Sequence, residues 1–159
     1  LHPFRVEGRG VVYADERTAD QLLKGVPQVP KSLALPMEDP LFCYRGGLSD
    51  LLDQAHHNIR VTVSGKGEVG LGELHGTPLR PILIEGSLGG FWEYDDEEQG
   101  ISYALFDRLR GGDLRRLESE LSALAEWLFN SFGHAKAHRS ESARSRGERL
   151  RSVQALKRV

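Results

Sequence analysis

The chain has 159 residues, 39% of them hydrophobic and 8% aromatic, with one cysteine and a formal net charge of −2. A chain of this length buries roughly two thirds of the surface it would expose when unfolded, so a disulfide framework is not required. No apolar run approaches the ~20 residues that span a bilayer, which excludes a spanning helix and makes a cytoplasmic location the expectation.

The net charge hides a division. Residues 134–159 hold eight cations against Glu141 and Glu148, a balance of +6, and the other residues carry −8. Such asymmetry points to a separate interaction segment rather than to fold. A single domain over 1–133 followed by a basic tail over 134–159 is therefore expected.

In chain order, "FRV" (4–6) and "GVVYA" (10–14) read as extended segments. Asp15 is placed to cap a short helix, "ERTADQLLKG", with Leu22 and Leu23 inward and Gly25 at its end. Prolines at 27, 30, 36 and 40 mark residues 26–40 as a connector, since proline stops helices and central strands alike.

"YRGGLSDLLDQAHHN" (44–58) follows. Read as a helix from Asp50 to about Asn58 capped by Ser49, it puts Leu48, Leu51, Leu52, Ala55 and Ile59 on one side. Asp50, Asp53, Gln54 and His57 fall on the other.

Next come the strands. "IRVTVSG" (59–65) alternates apolar and polar residues, and "GKG" (65–67) connects it to "EVGLGEL" (68–74). "ILIEGSL" (82–88) is expected to continue through "FWEY" (91–94), and "ISYALF" (101–106) follows the polar turn "DDEEQG" (95–100). The glycines at 70, 72, 86, 89 and 90 suggest a curved sheet.

From Asp113, a good N-cap, to Phe132 the leucines at 114, 117, 121, 124 and 128 keep helical spacing, and Trp127 and Phe129 add apolar surface beside that stripe. The fold class expected is α+β: an antiparallel meander of about four strands with helices on one face and a long C-terminal helix.

Five constellations bear on function. Asp53 and His57, four apart on a helix and flanked by His56, with His75 as a further donor, could share a divalent metal; the helix dipole explains the same residues without one. Cys43 beside His56 or His57 carries no nucleophile signature. Arg-Gly-Gly precedes a helix start twice, at 45–47 and 110–112. It could offer backbone N–H groups to phosphate, but Asp50 and Asp113 would repel an anion there.

Glu93 to Glu98 place five carboxylates in six residues. A calcium-loop spacing is absent, and the run could receive the chain's own basic segment or a partner's. That basic segment is the strongest compositional signal. Arg139, Arg144, Arg146, Arg149, Arg151, Lys157 and Arg158 suit phosphate or carboxylate contact, although aromatics for base stacking are missing. Leu150, Val153 and Leu156 could alternatively dock the segment as a helix on the acidic body.

The reading that follows is a non-enzymatic binding or regulatory protein that touches nucleic acid or an acidic protein surface through 134–159, with no cofactor. The alternatives are a metal-dependent enzyme built on the Asp/His helix, and a homodimeric adaptor joined through Leu121, Leu124, Trp127, Leu128 and Phe132.

Overall fold

The computed structural model describes residues 2–6, 10–25, 31–37, 39, 47–63, 66–132 and 142–156. Two compact units divide the chain, Leu1–Pro30 and Lys31–Val159. In the first, β1 (His2–Val6) and β2 (Gly10–Ala14) form an antiparallel hairpin, followed by α1 (Glu16–Leu23). Asp15 caps α1 as its position suggests: Oδ1 accepts from the N–H of Thr18 at 2.9 Å and Oδ2 from its hydroxyl at 2.8 Å. Gly25 beyond the helix has φ +91°, open only to glycine at low cost. Leu23, expected to face inward, is 77% exposed, the side chain of Leu22 lies outside the described set, and among the described side chains of α1 the buried one is Ala19.

The second unit is built on a four-stranded antiparallel sheet in the order β3 (Ser32–Ala34), β6 (Arg80–Ile84), β7 (Ser87–Asp95), β8 (Gly100–Leu105). The α+β class expected from the sequence holds, but the strands are grouped differently. β4 (Arg60–Val63) and β5 (Gly67–Gly70) form a hairpin of their own outside this sheet. A strand lies instead inside the proline-rich connector, where three residues between Pro30 and Pro36 pair with β6 at the sheet's edge. Edge strands tolerate flanking proline because only one side of the backbone must donate.

The stretch expected as one strand over 82–94 is two, β6 and β7, turned at Glu85 and Gly86. Both turn residues have positive φ, 50° and 88°, the geometry of a tight two-residue hairpin whose twist matches the strands. β7 is buried on both faces. Phe91 joins Leu48, Leu52, Val61, Leu71, Leu83, Leu88 and Val153 on one side, while Trp92 and Tyr94 join Ile82 and the long helix on the other.

That helix, α3 (Gly111–Phe132), presents Leu117, Leu121, Ala125 and Leu128 to the sheet. It begins two residues before the expected cap, so Asp113 lies in its first turn and bonds Lys31. α2 (Gly47–Leu51) and the C-terminal α4 (Ala143–Leu156) complete the opposite layer. Among the described residues no helix is long and apolar enough to cross a membrane.

Candidate functional site

The histidine segment is not one helix. α2 ends at Leu51, and a separate 3-10 turn runs over Gln54–His56. Asp53 interrupts them because its carboxylate accepts from the N–H of Ala55 at 2.9 Å, a local bond that competes with helix continuation. Asp53 and His57 therefore do not share a helical face. His56 turns to Asp107, Nε2 to Oδ2 2.9 Å, with its ring against Phe106. The ring of His57 lies close over Gly72, and His75 is exposed. Among the described residues no group of three or more His, Cys, Asp and Glu side chains could hold a metal ion. Cys43 and the Arg-Gly pair at 45–46 lie outside the described residues.

The basic segment divides into engaged and exposed arginines. Arg149 is buried and donates from Nε to Glu93 Oε2 at 2.6 Å. Arg80, stacked 5.4 Å over Trp92, holds the other Glu93 oxygen. Arg146 reaches Asp96 in the acidic turn at 3.6 Å, and Arg144 pairs with Glu148 one helical turn on. Arg151 is exposed, while Arg139, Lys157 and Arg158 lie outside the described residues. The acidic run thus receives the chain's own helix, and Val153 of α4, fully buried, is part of the core it docks on.

Of the proposed helix contacts, Leu121 and Leu128 are buried against the sheet and Leu124 is half-buried beside them. Trp127 is 51% exposed. The side chain of Phe132 lies outside the described set.

Cationic side chains gather where α3 begins. A cavity of about 320 Å³ is lined by Lys31, Ser32, Ile84, Glu85, Arg108, Leu109, Arg110, Asp113 and Arg116. Lys31 Nζ sits 3.1 Å from Asp113 Oδ1, and Arg116 Nε 3.1 Å from Glu120 Oε1. The carboxylate that would repel an anion is thereby neutralised, and Arg108 and Arg110 remain exposed without a carboxylate partner among the described residues. In the sequence Arg110 stands out only as part of a glycine motif. Its neighbours come from β3 and the β6–β7 turn, and no local signal links Lys31 to Asp113 across 82 positions.

A second opening, about 590 Å³, runs between β8 and α3. Its walls are Gln99, Gly100, Ile101 and Tyr103 on the strand side and Glu118, Leu121, Ser122, Ala125, Glu126 and Phe129 on the helix. Tyr103 donates its hydroxyl to Glu118 at 2.8 Å across it. Comparisons with protein families, with curated proteins and with solved structures give no match.

Proposed function

We propose that the chain is a non-enzymatic binding protein that receives an acidic protein surface at the cationic cavity opening beside the start of α3. The observation that carries this reading is the charge balance of the cavity wall. Lys31 cancels Asp113 and Glu120 cancels Arg116, and the exposed Arg108 and Arg110 outnumber the one remaining carboxylate of the wall, Glu85, which leaves a net positive charge facing solvent. Exposed arginines recognise carboxylates through paired N–H donors, and their attraction is felt over about 8–10 Å at ordinary salt. The contact proposed here lies on the Arg108–Arg110 loop rather than on the basic segment, because Arg144, Arg146 and Arg149 are engaged within the chain.

The test is fluorescence anisotropy with a labelled oligoglutamate peptide and a neutral peptide of equal length. The acidic peptide is expected to bind, salt to weaken it, and Arg108→Glu with Arg110→Glu to lower affinity at least about tenfold. No binding at low salt by the intact chain would overturn the reading. Tighter binding of a labelled oligonucleotide, abolished by Arg151→Glu, would return the contact to the C-terminal segment and to nucleic acid.

A further inference from the structure

We propose that the acidic surface received at this loop belongs to a second copy of the chain, and that the two copies join through the outer edge of β8. The inference rests on the reading above and names its partner. β8 hydrogen-bonds to β7 and, among the described residues, to no strand on its other side. An edge with no strand beside it is a template for another strand, and proteins usually guard it with lysine, proline or inward charge. Gly100 to Leu105, "GISYAL", contains none of these. Beside that edge lies the groove against α3, whose apolar wall includes Ile101, Leu121 and Phe129.

Charge selects the occupant. The two ends of β8 carry opposite signs. At its start the turn holds Glu97 and Glu98, both exposed and without a cation among the described residues. Asp95, by contrast, bonds the turn's own N–H groups, and Asp96 faces Arg146. At its end stand Arg108 and Arg110. Two copies of β8 paired antiparallel about a two-fold axis exchange these ends. With the axis passing between the two copies of a single residue near the middle of the strand, the Glu97–Glu98 turn of each copy comes to the end where the partner's Arg108 and Arg110 stand.

The contact is made twice, by one patch that is its own complement, as closed two-fold dimers require. The axis is perpendicular to the sheet, as between any antiparallel strand pair, so both α3 helices lie on the same side and the two grooves open toward each other. An unrelated extended peptide could add to the same edge but would have no reason to carry acid at one end and base at the other.

The experiment is a charge exchange followed by sedimentation and native mass spectrometry on the full chain. The wild type is expected to gain mass with concentration toward two copies and to lose it with salt. Glu97→Lys with Glu98→Lys places like charges at both ends and is expected to weaken the dimer at least about tenfold. Arg108→Glu with Arg110→Glu is expected to do the same.

Mixed in equal amounts, the two variants regain attraction at both ends and are expected to form a heterodimer that neither forms alone. All four substituted side chains are exposed, and circular dichroism is the check that each variant is folded. A wild type that stays monomeric at every concentration while still binding oligoglutamate overturns this inference and leaves the proposed function standing. A dimer indifferent to both exchanges overturns the interface. Restoration on mixing without oligoglutamate binding would keep the dimer and remove the broader reading.

Discussion

Arg149 meets Glu93 at 2.6 Å, although 56 positions separate them and neither side chain keeps more than a tenth of its surface in water. Glu93 is shared: Arg80 takes its second oxygen, which also accepts the N–H of Tyr94 at 3.1 Å. Every acceptor of the carboxylate is thus matched, the condition under which a buried charge is tolerated. The consequence is architectural, because this triad fixes α4 on the sheet.

Removing the centre of that triad should be the more damaging change. Glu93→Ala leaves two guanidinium groups buried together, and a loss of about 3–5 kcal/mol is expected for an uncompensated buried charge. Arg149→Ala leaves Glu93 with Arg80 and is expected to cost less, about 1.5–3 kcal/mol for one charged hydrogen bond. Arg151→Ala, on the exposed side of the same helix, should stay within about 0.5 kcal/mol. Urea midpoints at unchanged slope measure all three. Equal midpoints for Glu93→Ala and Arg151→Ala would refute the structural role of the triad.

The pattern of charge along the chain foretold this contact only in outline. A basic end and an acidic run can be read from composition, and their mutual docking stood among the alternatives. Which arginine is buried cannot be read, because Arg149 looks like Arg151 until α4 is laid on the sheet. Periodicity served well where one force dominates, as in α3 and the strand over Gly100–Leu105. It failed where local chemistry competes. Asp53 breaks a leucine-rich helix by bonding Ala55, and Glu85 with Gly86 folds back what reads as one long strand. The Arg108–Arg110 loop was legible as charge, but not as the wall of a cavity with Lys31.

That β6–β7 turn offers a stabilising change. Glu85 holds φ 50°, a left-handed conformation that costs an ordinary side chain about 1 kcal/mol and that asparagine adopts more readily. Glu85→Asn would give the turn the Asn-Gly pair its geometry favours. A gain of about 0.5–1 kcal/mol is expected, and a rise in Tm of roughly 1–4 °C follows for a chain of this size. Gly86→Ala, at φ 88° with open space around it, should lose about 1 kcal/mol through backbone strain alone. Thermal scans of the two variants would show shifts of opposite sign; a fall in Tm for Glu85→Asn would contradict the turn.

Gly90 is a different case, where the limit is space. A Cβ there would stand 2.2 Å from the carbonyl oxygen of Ala104 and 3.0 Å from Leu105. The neighbour is backbone of β8, which cannot rotate away, so β7 and β8 must separate. Gly90→Ala is expected to cost about 1–3 kcal/mol, as overpacking usually does. Because β8 is also the proposed dimer edge, hydrogen exchange should quicken across Ile101–Leu105 in this variant and stay unchanged in the first unit, Leu1–Pro30.

Alkaline pH gives a final handle on the wall of the groove. Burial, then the hydrogen bond to Glu118 and that carboxylate's charge, push Tyr103 up from 10.0 to about 12. The folded chain therefore holds this proton more tightly than the unfolded chain does. Its contribution to stability is complete below pH 10 and is lost as pH rises toward 12, where the folded phenol itself ionises. Tyr94 is raised too, by burial and then by Asp96 and Asp95, so it adds a slope of the same sign. Urea midpoints of the wild type are expected to fall between pH 10 and 12. Tyr103→Phe should start lower, having lost the bond to Glu118, and then fall less steeply because only Tyr94 of the pair remains to titrate. Parallel slopes for the two proteins would mean that the phenol of Tyr103 does not titrate with folding.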